Sequence, residues 1–209
     1  NFLMDTYPFD TSGLTNEEID SYYRSYTILK SKLNLEFTGE IDFHLELFEV
    51  FKNYLEITVR DSFVIRQDNN NDCYILFVET ESRNHDHGKV SGNRAHQVWA
   101  LAFLKADFGR MLIRRETLAD KIIELVHPVE LDFAEDKAFS DTFYVLVNDH
   151  EKALKGVDRR FRNAVMDTRH DHFLIEIVEH TLIAGNNEPI SAEKTLHLAE
   201  FITRICSHC

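Results

Sequence analysis

The sequence predicts a mixed α+β fold, a mostly antiparallel sheet with C-terminal strand-strand-helix units and a helical N-terminal segment. Three observations lead there. From Pro128 to Ile205 the apolar period switches between two residues and three to four, in the order strand, strand, helix, strand, strand, helix. Only seven Gly and three Pro occur in 209 residues, too few for the frequent turns of an all-β sandwich or barrel. Apolar residues make up 44% of the chain, with sixteen Phe and seven Tyr, which supplies a core and argues against disorder.

Taken in order, Thr15 and Glu18 have capping-box spacing. Ile19, Tyr22, Tyr23, Tyr26, Leu29 and Leu33 follow at helical intervals, predicting a helix over 15–33 with a tyrosine-rich apolar face. After Gly39, the spacing of Ile41, Leu45, Phe48, Val50/Phe51 and Leu55 predicts a second helix, with strand as the competing reading. Phe63–Arg66 and Cys73–Thr80 flank Asp68-Asn69-Asn70-Asn71-Asp72, a run that suits a hairpin tip because Asn and Asp tolerate left-handed backbone. Residues 83–94 are the most polar stretch and read as an exposed loop. His96 to Leu104 reads as a strand holding the only Trp, Met111 to Arg114 as a short extended piece, and Thr117 to Leu125 as a short helix. Val129, Leu131 and Phe133 alternate with Glu130 and Asp132, giving a strand with one wet face. Phe143, Val145 and Val147 form the next strand, and Asp149 caps one helix running through Val165. Phe173–Val178 and Leu182–Ala184 flank Glu179-His180-Thr181 as a tight hairpin, and Ser191 opens a last helix bearing Leu196, Leu198, Ala199, Ile202 and Ile205. No linker or fixed-period repeat interrupts the pattern. The expectation is one domain over 1–209, with a mainly helical part at 15–58 and a sheet with packing helices at 63–205.

The net charge of −13 is spread along the chain. Residues 1–60 carry five Lys/Arg against eleven Asp/Glu, and the remainder eighteen against twenty-five. That sign argues against nucleic acid and against acidic membrane surfaces as partners. Three Cys (Cys73, Cys206, Cys209) are too few for a disulfide framework and fit a reducing compartment, so the expected location is cytoplasmic. No apolar run approaches the length of a membrane span, and the start lacks the pattern of a signal peptide.

The ordering over about 73–205 resembles an uncharacterised bacterial family, a domain of unknown function. The resemblance lies in His96-Gln97-Val98-Trp99-Ala100-Leu101 leading to Arg114-Arg115-Glu116. It continues in Val129-Glu130-Leu131 through Phe139 to Phe143-Tyr144-Val145, the Asp149-capped helix, and Phe173-Leu174-Ile175-Glu176-Ile177 with its returning strand and final helix. It implies an α+β fold and no assigned activity.

Eleven His include two His-Asp-His triplets, His85-Asp86-His87 and His170-Asp171-His172. In a strand, positions i and i+2 share a side, so His85 and His87 could hold one ion, with His96 folding in as a third ligand and zinc as the expected metal. The competing reading is two solvated polar connections. Cys206-Ser207-His208-Cys209 offers further soft donors but reads better as an incidental tail. There is no Gly-x-Ser-x-Gly elbow, no His-Glu-x-x-His helix and no Walker lysine. Glu130, Asp132, Glu176 and Glu179 read as solvated strand positions, Arg159, Arg160 and Arg162 as helix-surface ion pairs, and Trp99 as core. The resulting expectation is a non-catalytic binding or interaction module with a protein partner or homo-oligomer and no cofactor. The alternative is a metal-binding protein or metal-assisted hydrolase using His85, His87 and His96. A small-ligand binder with a cleft between the N-terminal helices and the sheet stands beside these. Any site should lie where the His-bearing stretch meets the C-terminal half.

Overall fold

The computed structural model describes residues 7–68, 71–86, 89–115 and 127–208. Nine strands form one sheet in which every neighbouring pair is antiparallel. In chain order they are β1 (Leu35–Phe37), β2 (Glu56–Ile65), β3 (Cys73–Asp86), β4 (Lys89–Phe103), β5 (Arg110–Arg115), β6 (Val129–Glu130), β7 (Phe143–Val147), β8 (Leu174–Val178) and β9 (Thr181–Gly185). Across the sheet the order is β1-β2-β3-β4-β9-β8-β5-β7-β6. Five helices complete the described residues, α1 (Asn16–Lys32), α2 (Lys137–Ser140), α3 (His150–Gly156), α4 (Arg159–Asp167) and α5 (Ala192–His208).

Side chains alternate between the two faces of each strand, so one sheet builds two cores. On one face Ile75, Phe77, Val98, Ala100, Ile175, Ile177, Leu182 and Ala184 pack with Tyr22 and Leu29 of α1, Phe161 and Val165 of α4, and Leu198, Ile202 and Ile205 of α5. On the other, Leu76, Val78, Trp99, Leu101 and Ile183 pack with Phe43, Leu45, Phe48 and Phe51. Trp99 lies over its cross-strand partner Gly185, where a Cβ would come within 2.6 Å of the indole, and its Nε1–H donates to Gln97 Oε1 at 2.9 Å. The ring thus packs while its one donor is satisfied.

The capping box predicted at α1 is formed: Thr15 accepts from the Glu18 N–H and Glu18 from the Thr15 N–H. Both predicted hairpins and the last helix are also present. Four local expectations are corrected. The second N-terminal helix is instead two single 3-10 turns, Leu45–Leu47 and Glu49–Phe51, and strand begins at Glu56. The reason is Glu176. Far from being a solvated strand residue, it is 1% exposed, and its two carboxylate oxygens accept the Glu49 and Val50 N–H groups at 2.8 and 3.0 Å. A continuous helix would turn those donors to its own carbonyls. The helix expected from Asp149 to Val165 breaks after Gly156, where a Cβ would meet the Phe108 ring at 2.4 Å, and restarts with Asp158 accepting the Phe161 N–H.

The third correction concerns 83–94, read as a loop. Its described residues are paired strand, with β3 and β4 in register out to Asp86↔Lys89. Beyond Glu81 on β2's side and Trp99 on β9's side the pairing is two-stranded, so no core calls for apolar alternation there. Fourth, Arg162 is buried, donating to Asp136 at 2.9 Å and the Val157 carbonyl at 3.0 Å with its guanidinium 4.6 Å from the Phe133 ring centre. The helix expected over Thr117–Leu125 lies outside the described residues. Cys73 and Cys206 are both buried, the latter in the last helix.

Burial pushes the Glu176 carboxyl above the ordinary carboxylate range, against the pull of the two N–H donors. Glu176→Ala would leave those donors unpaired in a buried site, a loss of about 3 kcal/mol of stability. Hydrogen exchange should accelerate at Glu49 and Val50 and across residues 43–54, while the α1 and α5 amides keep their rates relative to global unfolding.

Candidate functional site

The polar groups closest to a site sit where α1 crosses β2, β3 and β4. His96 on β4 faces Glu79 on β3 across the ladder, and its ring is 7% exposed. His96 Nδ1 lies 2.8 Å from Glu18 Oε1 and Nε2 lies 3.0 Å from Glu79 Oε2. A ring protonated at both nitrogens donates to both carboxylates at once. Glu79 Oε2 also accepts from Arg60 at 2.9 Å, and Arg60 reaches the Ser12 carbonyl at 2.6 Å and the Asp10 carboxylate at 3.6 Å. The result is a polar chain, Glu18–His96–Glu79–Arg60–Asp10, joining a helix, three strands and the segment before α1.

Local structure explains each placement. Glu18 is held by its own capping box, which aims its second oxygen at the sheet. Arg60 is the extra residue of a β-bulge in β2, between Val59 and Asp61, and donates to Glu79. Burial pushes Glu18 and Glu79 upward, but hydrogen bonds from Thr15 and His96 to the first, and from Arg60 and His96 to the second, hold both below the ordinary carboxylate value. Tyr22, stacked 4.7 Å from Phe77 and edge-on to His96, buries its hydroxyl here with no hydrogen-bond partner among the described residues.

Two openings flank this chain. A cleft of about 390 Å³ lies between α1, β4 and residues 187–190, lined by Glu18, Tyr22, Arg94, His96, Pro189 and Ile190 among others. It stands where β4 meets residues 187–190 of the C-terminal half. A shallower groove of about 610 Å³ runs along the sheet edge past Phe37, Ile41, Val59, Arg60 and Asp61. Asp61 is half-buried there with Oδ2 unpartnered, and burial pushes its carboxyl up to about 6, helped by the nearby Asp10 and opposed by Arg60.

Of the three histidines considered as metal ligands, only His96 has a described side chain, and both its nitrogens face carboxylates. His87 lies outside the described residues. His85 pairs with Val90, six residues along β3 from Glu79, so its backbone stands about 20 Å along the ribbon from that of His96. Among the described residues, Asp42, His44 and Glu46 place their ligand atoms within 4.8 Å of one another, but all three are exposed and already pair among themselves. In the second triplet, Asp171 accepts from His197 at 2.8 Å, and that hydrogen bond holds the His197 imidazole above its ordinary value. Sequence reasoning singled out His96 and used Glu18 only as a cap; Glu79 and Arg60 had no signal, because their partners lie 17 to 50 positions away, and Asp61 was not singled out at all.

The fold and its polar chain define an antiparallel α+β module built around one large sheet. No family model matches the chain, and no curated protein matches it. Among solved structures it is similar to the crystal structure of the mycobacterial trehalose monomycolate transport factor A, TtfA, with 12% identity and a TM-score of 0.54, over 88% of this chain and 91% of that one. At that identity the likeness shows the fold alone. Among the described residues no helix is long and apolar enough to cross a membrane.

Two substitutions give opposite pH signatures. His96→Ala removes the donor shared by two carboxylates and should lower stability at neutral pH by about 3 kcal/mol in urea denaturation. Because Glu18 and Glu79 are held below 4.5, the stability they contribute is present above that value and lost as pH falls; the variant should show a flatter acid limb. Asp61 has its carboxyl raised, so the wild type loses stability as pH rises from 3.8 through about 6. Asp61→Asn should escape that loss and be more stable at pH 8 by about 1 kcal/mol, after discounting for solvent screening of a half-buried group.

Proposed function

We propose that the protein is a non-catalytic binding module that docks a protein partner or assembles with further copies of itself. One observation carries the reading: the charged chain Glu18–His96–Glu79–Arg60 is closed on itself, while an open cleft and an open groove lie on either side of it. Acid–base or nucleophilic catalysis needs a group free to exchange a proton or a bond with substrate. His96, the residue best suited to that work, has both nitrogens engaged by structural carboxylates. The similar fold belongs to a protein described as a transport factor, which supports binding rather than turnover as the class. The polar chain holds α1 rigidly over the sheet, so the walls of both openings are fixed in advance of any partner, which lowers the ordering cost of association.

Size-exclusion chromatography with light scattering over a hundredfold range of concentration, on protein from its native source and from a heterologous host, tests this. The expected result is either a mass above the 24.5 kDa of one chain or a partner retained at fixed stoichiometry. A strict monomer that retains nothing from either source overturns it.

A further inference from the structure

Among the described residues, the outer edge of β2 leaves both backbone and side-chain groups without partners. β1 covers β2 only from Phe63 to Ile65, and one further bond runs from the Thr38 N–H to the Ser62 carbonyl at 3.1 Å. From Glu56 to Asp61 no strand lies alongside that edge among the described residues. A strand edge of this length is a template for another extended chain unless something blunts it. The bulge between Val59 and Asp61 interrupts it without covering it.

The groove beside this edge has the features of a recognition surface. Its apolar part is Phe37, 51% exposed, and Ile41, 44% exposed, with Val59 between strand and groove. Its charge is negative: Glu40, Asp42 and Asp61 line it, and its one lining cation, Arg60, is already engaged by Glu79 and Asp10. Within it Asp61 Oδ2 and Arg60 Nε are buried and have no hydrogen-bond partner. Arg60 is only 11% exposed, so those two atoms mark a place where the fold alone does not complete the hydrogen bonding.

We propose that the open edge of β2 and the Phe37–Ile41 groove form a strand-addition site for an extended, basic segment of a protein partner. The added strand would bond the free backbone of Glu56–Asp61. With a period of two, its apolar side chains would meet Phe37 and Ile41, and its intervening Lys or Arg side chains would meet Glu40, Asp42 and Asp61. The acidic lining selects against an acidic segment by charge and hastens encounter with a basic one. The inference rests on the module reading and names the partner chemistry for one of its two openings.

The test is an NMR titration of the full chain with the peptide Ac-Lys-Val-Lys-Val-Lys-Val-NH2 and, separately, with Ac-Glu-Val-Glu-Val-Glu-Val-NH2. Saturable shifts are expected at the amides of residues 37–41 and 56–62, with the basic peptide binding at least about tenfold more tightly than the acidic one. Asp61→Asn, a variant expected to be more stable than the wild type, should weaken the basic peptide by about threefold or more, and Phe37→Ser should do the same. Absence of saturable shifts at those amides, equal binding of the two peptides, or indifference to both substitutions overturns the proposal. So does a doubling of mass in which those amides are buried against a second copy and the peptide fails to compete. If the peptides fail while light scattering shows a retained partner, the groove assignment falls and the module reading stands.

Discussion

The position of His96 between two carboxylates is the constraint on which the N-terminal half depends. Glu18 belongs to α1, Glu79 to β3 and His96 to β4, so one imidazole ties the helix to two adjacent strands. Arg60 extends the tie to β2 and, through the Ser12 carbonyl, to the segment that leads into α1. Hydrophobic burial of Tyr22 and Leu29 would hold the helix against the sheet at many small displacements, because apolar contact is non-directional. The hydrogen-bonded chain admits one register. The chain also shows how an acidic protein tolerates polar groups between helix and sheet: Glu18 and Glu79 each lie within hydrogen-bonding distance of His96, and Glu79 accepts from Arg60 as well, the condition under which burying charge is endurable.

Glu176 plays the same part on the opposite face with different means. No cation lies in hydrogen-bonding contact with it; two backbone N–H groups of a 3-10 turn serve instead, with Arg110 contributing at longer range. This fastens residues 43–54, which have little regular structure, over Trp99 and Leu101. A segment with few internal backbone bonds cannot supply its own rigidity, so the sheet supplies it through one side chain. Both covers of the sheet are thus positioned by carboxylates reaching across the sequence, Glu18 to His96 over 78 residues and Glu176 to Glu49 over 127.

That distance also decides what could be read in advance. Local chemistry was readable: the Thr15–Glu18 box, the Glu179-His180 turn and the start of α5 each depend on residues within four positions. Period-two alternation located the central strands correctly because their two faces meet two different cores. Three of the misreadings share one origin, which is polarity taken as exposure. Glu176 and Arg162 are charged yet buried, since partners far along the chain satisfy them. The described residues of 83–94 are polar yet strand, since a two-stranded ribbon beyond the sheet has no core to face. The 41–55 periodicity was real burial without a helix, because Phe43, Leu45, Phe48 and Phe51 reach the core from 3-10 turns. Within the site, His96 was marked for its chemistry but its true partners carried no local signal.

The bulge in β2 links these points to function. Arg60 is the extra residue of that bulge, and its guanidinium reaches Glu79 and extends the polar chain to β2. Asp61 stands beside Arg60 at the edge, half-buried, with an oxygen that nothing in the described fold satisfies. A carboxyl raised toward 6 is a standing loss of stability at neutral pH, and an Asn would avoid it. Stability alone therefore does not account for an aspartate at 61. Groups that weaken a fold while lining an open groove are found where binding matters more than stability. The exposed Phe37 and Ile41 belong to the same groove, and their solvent exposure is unfavourable in the free protein by the same logic. Three independent departures from an optimal surface, a bare strand edge, an unpaired carboxylate and two exposed apolar side chains, converge on one place, and a cationic extended chain is the ligand that would relieve all three together.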